Sequence, residues 1–355
     1  MKTERRKLDH IKICLTEEVE TGYSGLEDVM LIHQAIPEID FSEIDSSVYF
    51  GKKKLSFPFL IASITGGHEE TERINENIAI AVEETGIGMG VGSQRAGLEN
   101  EKVVKTFSIV REKAPKAFIY ANIGAPQIIK DLEIVDKVIE MIDADAVAIH
   151  LNYLQEAIQN EGDKNAKGCL EAIKEVCKSV KVPVIVKETG AGISKEVAIR
   201  LREAGVFAID VGGKGGTSFS IVEAYRSEDE ILREVGFDFA NWGIPTAFSI
   251  VDCAKILPTI ATGGIRSGLD IAKSLALGAK IASSALPFLV SANISASAVK
   301  NRIQRFMRGF KTAMFLTNCR KAEDLERRPL FVSGKLAEWL RFREIDLKSF
   351  CEGRK

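Results

Sequence analysis

The segment HLNYLQE, at residues 150–156, combines an imidazole, two carboxamides and a carboxylate directly after the apolar run ADAVAI. Such polar groups are costly in a protein core unless they are hydrogen-bonded or bind something. Alternation with a period of two puts His150 and Asn152 on one face of a predicted strand, and Gln155 and Glu156 lie in the loop just beyond it. A lone histidine is more often a satisfied core residue than a catalyst. The two amides and the carboxylate beside it favour the interpretation that this segment forms one wall of a functional site.

Glu156 suggests a particular kind of metal site. A single carboxylate with no Asp or further His beside it is a poor cage for a transition metal. It suits Mg²⁺, which keeps several of its waters and shares its ligands with substrate phosphates.

The segment ATGGIRSGLDIAKSLALGAKIASSAL, at residues 261–286, is typical of a phosphate site. Its glycine pair follows a predicted strand and precedes a helix whose N-terminus favours negative charge. The next strand ends in the small residues Ser283, Ser284 and Ala285, so a second loop can close on the same group. A lone glycine pair is often only a tight turn. Two such loops in succession favour phosphate binding.

A second glycine-rich turn, DVGGKGGTSF at residues 210–219, carries Lys214, Thr217 and Ser218. Either a further anion site or a mobile lid fits this pattern, and a loop so rich in glycine can also be simply flexible.

Lys187 ends the very apolar run VPVIV, where an unpaired ammonium group would be costly. Two explanations fit about equally: an ion pair with Glu188 or Asp210, or a position facing the ring of a bound cofactor. Arg95 ends a second strand and could meet an anion. The basic run RRK at residues 5–7 resembles an ordinary solvated terminus, but a phosphate-bearing substrate would need such cations.

Eight short apolar or β-branched runs alternate with charged segments of helical period, as in βα units. They lie at residues 57–65, 87–93, 117–124, 145–152, 182–189, 206–213, 258–264 and 280–286, with a longer insertion at 214–256. Each run ends in polar or glycine residues. We therefore predict an α/β fold, a closed (β/α)8 TIM barrel with these ends at one face. The rival doubly wound open sheet would leave several of the ends too far apart to cooperate.

The chain is predicted to form a single domain over residues 1–355. Residues 1–55 would be an N-terminal extension packed on the barrel, 56–290 the barrel core, and 291–355 a C-terminal helical region.

The composition excludes several classes of protein. Lys and Arg number 48 against 50 Asp and Glu, a net charge of -2 that argues against binding nucleic acid through overall charge. The six cysteines form no CxxC pair, and only four histidines are present, so zinc-finger and disulfide spacings are absent. Neither a signal peptide nor a spanning apolar segment is evident. We expect a cytoplasmic protein.

The motifs RKLDH, ITGG, GVGSQRAG, NIGAPQ, HLNYLQE, VKETGAGIS, GGKGGTSF, NWGIPT and TGGIRSGLDIAKSLALGA occur in this order over nearly the whole chain. As an ordered set they resemble the type 2 isopentenyl-diphosphate isomerases, which are FMN-dependent (β/α)8 enzymes. The last block alone is shared with other phosphate-binding barrels. The resemblance implies interconversion of isopentenyl and dimethylallyl diphosphate in isoprenoid biosynthesis. It also implies Mg²⁺, NAD(P)H as the flavin reductant, and a homo-oligomer, tetrameric or octameric.

The resemblance also implies a role for each matching residue. FMN would contact Ala62, Ser63, Ile64, Thr65, Gly66, Ser93, Asn122, Lys187 and Thr217. The FMN phosphate would bind Gly263, Gly264, Ile265, Ser284 and Ala285. The substrate would bind Arg6, Lys7, Ser93, Gln94, Arg95 and Gln155. His150 and Asn152 would lie near the diphosphate and would form the catalytic group together with Gln155. Gln155 would approach the isoprenoid end of the substrate. Glu156 would bind Mg²⁺. The departures from the family pattern are local: Ile64 in ITGG, Tyr153, Gly212, Lys214 and Phe219.

Two other functions are compatible with such a barrel. One is a redox enzyme, either a flavin-dependent 2-hydroxy-acid oxidase or a nucleotide dehydrogenase. The dehydrogenase would need a cysteine in the loop after the sixth predicted strand, and the sequence of that loop, GGKGGTSF, has none. The oxidase would need a histidine followed by an arginine near the same strand, but the nearest histidine is His150. The other is a flavin or phosphate carrier, which would leave the cluster at 150–156 unexplained.

Overall fold

The structure is a computed structural model that describes residues 2–352, with side chains from residue 5 onward. Within that range the strands, in chain order, are β1 (Val29–Leu31), β2 (Val48–Phe50), β3 (Lys53–Leu55), β4 (Phe59–Ile61), β5 (Gly88–Gly90), β6 (Phe118–Gly124), β7 (Ala146–Leu151), β8 (Val184–Glu188), β9 (Ala208–Asp210), β10 (Thr259–Ala261), β11 (Ile281–Ser284) and β12 (Leu330–Val332). Strands β4 to β11 are parallel and pair in sequence, and β11 pairs back with β4 to close a barrel. Each of the eight predicted runs contains one barrel strand. The predicted (β/α)8 barrel is therefore confirmed, and the open sheet is excluded.

Helices cover the outside of the barrel. Within the described range they are α1 (Lys2–Thr16), α2 (Glu69–Thr85), α3 (Arg95–Glu99), α4 (Lys105–Lys113), α5 (Ala125–Lys130), α6 (Ile134–Met141), α7 (Tyr153–Ile158), α8 (Cys169–Ser179), α9 (Lys195–Glu203), α10 (Phe219–Arg226), α11 (Glu230–Asp238), α12 (Thr246–Cys253), α13 (Gly268–Ala276), α14 (Leu286–Ala292), α15 (Ala296–Leu316), α16 (Gly334–Phe342) and α17 (Leu347–Cys351). In α2 the buried residues Ile74, Ile78 and Val82 recur every four positions and face the core. Between residues 2 and 352 no helix combines the length and the apolar character needed to cross a membrane.

The N-terminal mouth of the barrel is closed by the β2–β3 hairpin. Phe50 is 2% exposed, and its ring packs edge-on against Phe118 and Phe207, with centroids 5.5 and 5.6 Å away. Large side chains such as Leu60 and Tyr120 fill the interior above it. This end is therefore a packed core, and ligands can enter only from the carboxyl ends of the strands.

The two terminal segments meet on the outside of the barrel. β1 pairs antiparallel with β12, with Val29 opposite Val332, a short ribbon that the apolar periodicity did not predict. This pairing supports our proposal that residues 1–355 form one domain, although residues 1 and 353–355 lie outside the part of the chain that the structure describes.

Asp252, on α12, anchors helix α16 and the residue that follows it, Arg343. It is 4% exposed and accepts hydrogen bonds from Arg343 Nη2 at 2.6 Å and from Trp339 Nε1 at 3.1 Å. Asp252→Asn should lower the free energy of unfolding by about 2 kcal/mol, because a charge-assisted buried hydrogen bond is weakened. Denaturant unfolding measures this change. Glu196→Ala is the matched control, because Glu196 binds the same arginine. The Glu196 side chain is 64% exposed, so its ion pair should contribute less than about 1 kcal/mol to the free energy of unfolding. Equal losses in the two variants would contradict the anchoring role.

Candidate active site

A pocket opens at the carboxyl ends of the barrel strands and is covered on one side by α1. Most of the residues predicted for the site line this pocket. They are Arg6, Lys7, Ala62, Ser63, Ile64, Thr65, Ser93, Arg95, Asn122, His150, Asn152, Gln155, Glu156, Lys187, Thr217, Gly263, Gly264, Ser284 and Ala285. Among the predicted residues, Gly66, Gln94 and Ile265 do not line it.

Gln94 corrects one prediction. Its side chain is fully buried, donates to the Val138 carbonyl at 2.8 Å and accepts from the Asn122 backbone N–H at 2.9 Å. Both ends of the carboxamide are therefore occupied, and they join the segment after β5 to α6 and to β6. The predicted contact between this side chain and the substrate does not fit the structure.

The loop after β10 forms the predicted cradle. Gly263 and Gly264 have φ angles of 108° and 72°, a region that side chains other than glycine rarely enter, and the turn leads into α13. The hydroxyl of Ser284, at the end of β11, donates to the Ile265 carbonyl at 2.7 Å and joins the two loops. A helix N-terminus and exposed backbone N–H groups at one point are what a phosphate requires.

The glycine-rich turn after β9 is held in place rather than free. The Gly213 N–H donates to the Thr262 carbonyl at 2.7 Å. On the other side, Thr21 donates through its N–H to the Gly216 carbonyl and accepts from the Gly215 N–H, both at 3.0 Å. These bonds tie the turn to the loop after β10 and to the N-terminal segment. They favour a fixed wall over a mobile lid.

Two buried hydroxyls at the end of β4 fit a bound polar group. Among the described residues, Ser63 Oγ and Thr65 Oγ1 are buried without any hydrogen-bond partner. Orphaned buried polar atoms are rare and call for an explanation. Both residues line the pocket next to the phosphate cradle, so a cofactor with a polar ring edge and a phosphate would satisfy them.

Lys187 is 7% exposed and projects from β8 between His150 on β7 and Asp210 on β9. Its ammonium group donates to the Glu188 carbonyl at 3.2 Å, and no carboxylate of the described residues lies within 4 Å of it. Burial raises the pKa of Asp210, and the charge of Lys187 opposes that rise. The cation is thus available to an electron-rich ligand, and the direct ion pair that was the alternative is not present.

The Glu188 carboxylate is occupied elsewhere. Its Oε2 accepts the backbone N–H groups of Thr189, Gly190 and Ala191 at 2.6, 2.7 and 2.5 Å. Burial nevertheless raises the pKa of Glu188 to about 7, against these hydrogen bonds. Glu188 therefore shapes the turn after β8.

The segment 150–156 ends β7 and begins α7, so Gln155 and Glu156 stand on the first turn of a helix and not in a loop. Asn152 Nδ2 donates to Gln155 Oε1 at 3.2 Å and to Glu156 Oε1 at 3.0 Å. Its Oδ1 is buried and has no partner within the described chain. His150 Nδ1 bonds Asn122 Oδ1 at 2.9 Å. The structure thus brings all four predicted side chains to one wall.

Glu223, on α10, organises this wall and was missed by the sequence analysis. It is 1% exposed, and its Oε1 accepts from Gln155 Nε2 and His10 Nε2, both at 2.8 Å. Arg226 Nε donates to Oε2 at 2.7 Å. Burial alone would raise the pKa of Glu223, but hydrogen bonding from His10, with the charges of His10 and Arg226, brings it down to about 2. The carboxylate is therefore ionised and fixes the orientation of the Gln155 amide.

Helix α1 carries cations to the same wall. Lys7 Nζ donates to the Ser93 carbonyl at 3.4 Å. In the orientation that satisfies its hydrogen bonds, the Gln159 amide accepts from Arg6 Nη1 at 2.8 Å and donates to Glu223 at 3.1 Å. Burial, and then the neighbouring charge of Arg6, lowers the pKa of Lys7 to about 7. Arg6 and Lys7 of the basic run are thus part of the pocket, whereas Arg5 is exposed to solvent.

The metal prediction concerns Glu156. Its Oε2 accepts the Asp163 N–H at 2.6 Å, and among the side chains of residues 5–352 no group of three His, Cys, Asp or Glu could hold a metal ion. A complete protein cage is thus absent from the described chain. The donor set, one carboxylate beside the unpartnered Asn152 Oδ1, fits a hydrated Mg²⁺ that takes further ligands from a substrate.

Comparisons with known proteins agree with this geometry. A model of the FMN-dependent dehydrogenase family matches residues 144–331. The isopentenyl-diphosphate delta-isomerase of Archaeoglobus fulgidus is 65% identical over 97% of this chain and all of its own length. That of Methanosarcina barkeri is 52% identical over 98% of this chain and 97% of its own.

Solved structures show the same fold at much lower identity. A mandelate oxidase superposes with a TM-score of 0.64 at 16% identity, covering 94% of this chain and 98% of its own. A putative lactate oxidase of Pediococcus acidilactici also gives 0.64 at 16% identity, covering 92% of this chain and 87% of its own. At this identity the likeness concerns the barrel alone, whereas the full-length relatives carry the family assignment. The chain therefore belongs to the family of isopentenyl-diphosphate delta-isomerases, within the wider FMN-dependent dehydrogenase family.

Proposed function

We propose that this chain converts isopentenyl diphosphate to dimethylallyl diphosphate in isoprenoid biosynthesis, with reduced FMN and Mg²⁺. The observation that carries the proposal is the full-length identity of 65% to a relative of that name. The pocket supports it with cations on one side, a phosphate cradle on another, and a single carboxylate suited to Mg²⁺. The reaction moves a double bond, so one carbon gains a proton and another loses one without net oxidation.

FMN would bind with its phosphate on the loops after β10 and β11, and with its ring between Lys187 and the orphaned hydroxyls of Ser63 and Thr65. When bound and reduced, FMN supplies an electron-rich ring beside a developing cation and ring nitrogens that can carry a proton. Lys187 contributes a buried positive charge that favours added electron density on a neighbouring ring. NAD(P)H is proposed as the reductant, used to prepare the cofactor and not consumed with each turnover.

The diphosphate would lie between α1 and the ends of β5 and β7. Arg6, Lys7 and Arg95 line this part of the pocket and supply the positive charge that a diphosphate needs. Glu156 would hold Mg²⁺ through one carboxylate oxygen, and the metal would complete its coordination with diphosphate oxygens and water.

Gln155 is proposed to face the reacting carbons. One N–H of its amide is committed to Glu223, and its Oε1 to Asn152. A carboxamide nitrogen carries two hydrogens, so the second N–H of Gln155 remains for the substrate. His10 and Arg226 keep Glu223 in place, and the residue beside the substrate is thereby held in one orientation.

The redox alternatives are not favoured by the site. The loop GGKGGTSF has no cysteine for a nucleotide dehydrogenase. The two histidines that line the pocket, His10 on α1 and His150 on β7, do not come from the region of β9. A carrier would not need the buried network of Gln155 and Glu223. We also propose that the chain forms a homo-oligomer, tetrameric or octameric, as the family resemblance implies.

The proposed activity can be tested in one assay. Purified protein, incubated anaerobically with FMN, a reductant and Mg²⁺, is expected to convert isopentenyl diphosphate to dimethylallyl diphosphate. Omission of FMN, reductant or Mg²⁺ should each reduce the rate. Protein that takes up no FMN would contradict the proposal, as would NADH formation or O₂ consumption with 2-hydroxy acids in place of isomerisation.

A further inference from the structure

Helix α1 brings Arg6 and His10 to the pocket from one face, because residues separated by one helical turn are neighbours on a helix surface. Each of the two meets an acidic partner outside the pocket. His10 Nε2 bonds Glu223 Oε1 at 2.8 Å, and Arg6 Nη1 lies 4.0 Å from Glu161 Oε1. Glu161 belongs to the loop that follows α7. Neither carboxylate residue is among those that line the pocket.

Arg226 joins these two carboxylates to each other. Its Nε donates to Glu223 Oε2 at 2.7 Å, and its Nη2 donates to Glu161 Oε2 at 3.0 Å and lies 2.9 Å from Glu161 Oε1. Since Glu223 is 1% exposed and bonded on all sides, the Arg226 guanidinium group is held from the buried end. Glu161 thus has a fixed position between two arginines, Arg226 behind it and Arg6 on α1 in front.

The amide of Gln159 holds the Arg6 guanidinium group from the same side. Gln159 is 2% exposed, accepts from Arg6 Nη1 at 2.8 Å and donates to Glu223 Oε1 at 3.1 Å. Arg6 therefore meets two groups of one short segment, residues 159–161: an amide oxygen and a carboxylate. A guanidinium group has five N–H donors, so those that the segment does not use remain for a ligand in the pocket.

The charge of Glu161 by itself is unfavourable for an anion in this pocket, because a carboxylate repels a nearby diphosphate. Its side chain is also 43% exposed, and exposed ion pairs contribute little to the stability of a fold. What the carboxylate can supply is the position of Arg6. An arginine side chain loses much rotational freedom when it binds an anion, and a partner that holds it beforehand reduces that loss.

We propose that Glu161 is a positioning residue for the substrate: it holds Arg6, and the turn of α1 that carries it, where the guanidinium group binds the diphosphate. An acidic side chain thus strengthens the binding of an anion. This inference rests on the proposed function, because it takes the ligand beside Arg6 to be the diphosphate of the substrate. Glu161 acts through Arg6 and does not touch the reacting carbons, so it should affect KM and leave kcat unchanged.

The test measures the binding of inorganic diphosphate with Mg²⁺ to FMN-loaded protein by calorimetry, together with KM and kcat for isopentenyl diphosphate. Glu161→Gln keeps the length of the side chain and removes the charge that holds Arg6. The Kd and KM of this variant are expected to rise by about threefold to fivefold, the size expected for the loss of ion pairs of this exposure. Its kcat and its affinity for FMN should stay at the wild-type values. A Kd that is unchanged or lower would overturn the inference, because repulsion without positioning predicts tighter binding.

Asp163→Asn is the matched control, since it removes one negative charge from the same loop. Among the described residues the Asp163 carboxylate is paired with Lys130 and not with α1. Its replacement should leave the Kd for diphosphate unchanged or slightly lower, a change opposite in sign to that of Glu161→Gln. An equal rise of Kd in both variants would count against the positioning role, because only Glu161 meets Arg6.

A double-mutant cycle with Arg6→Gln shows whether the effect passes through Arg6. Without the guanidinium group Glu161 has nothing to position, and only its repulsion of the anion remains. In the Arg6→Gln protein, Glu161→Gln should therefore leave Kd unchanged or lower it. A rise as large as in the wild-type background would show that Glu161 does not act through Arg6 and would overturn the inference.

The same experiments separate this inference from the proposed function. If wild-type FMN-loaded protein binds no diphosphate and isomerises nothing, the proposed function fails. If the wild-type protein isomerises isopentenyl diphosphate and Glu161→Gln binds diphosphate as tightly as the wild type does, only this inference fails.

Discussion

Gln155→Ala is expected to lower kcat for isopentenyl diphosphate by about 100-fold or more, with FMN and diphosphate affinities little changed. The expected size follows from the usual contribution of a positioned proton donor or acceptor in a transition state. Gln155 is 8% exposed, lines the pocket, and is held by Glu223 at 2.8 Å and by Asn152 at 3.2 Å. Removal of the amide should therefore affect the chemical step and leave the charged end of the substrate in place.

Steady-state kinetics and FMN fluorescence titration separate these effects. Gln304→Ala, on the exposed side of α15, is the matched control for loss of a carboxamide and should keep the wild-type rate. Glu223→Gln gives an intermediate test, since it keeps the shape but weakens the hydrogen bond that orients Gln155. A Gln155→Ala enzyme with unchanged kcat and raised KM would show that Gln155 binds substrate and has no part in the chemical step.

The parts of the site that lie at strand ends could be predicted from sequence. A run such as VPVIVKET has an apolar half that must be buried and a polar end that must leave the core, so Lys187 belongs at the mouth of the barrel. The same argument placed His150 and the glycine pair at 263–264. Gln94 is the exception, because a buried amide just after a strand can also be used to join that segment to a neighbouring helix and strand.

The residues that support the site could not be predicted in this way. Glu223 lies within the helical segment FSIVEAYR, where a glutamate usually faces solvent. Its burial arises because α7 and α1 bring Gln155 and His10 against it. Those contacts join residues 68 and 213 positions apart in the chain. No local sequence pattern predicts contacts between residues so far apart along the chain. The sequence offered one signal. Glu223 lies four residues after Phe219, the last residue of the loop motif GGKGGTSF, and this short spacing restricts where its side chain can point.

Glu156→Gln is expected to abolish the Mg²⁺-dependent part of the rate, a loss of about 100-fold or more, and the activity left should no longer respond to Mg²⁺. A neutral amide has one oxygen and no charge to offer, whereas Mg²⁺ prefers carboxylates and binds poorly without one. The length and position of the side chain are kept, and Gln can still accept from the Asp163 N–H, which bonds Glu156 at 2.6 Å in the native protein. Its amide nitrogen then replaces the oxygen that accepts from Asn152 Nδ2 at 3.0 Å, so that one hydrogen bond is lost.

Asp163→Asn provides the matched control for loss of one negative charge in this region. The Asp163 carboxylate is directed to the exposed ammonium group of Lys130, and only its backbone N–H reaches Glu156. Its replacement should therefore leave the Mg²⁺ titration of the rate unchanged. If both variants lose the Mg²⁺ response equally, the effect is the overall charge of the loop and not coordination. If Glu156→Gln still shows the wild-type response, Glu156 does not bind the metal, and the diphosphate alone must carry it into the pocket.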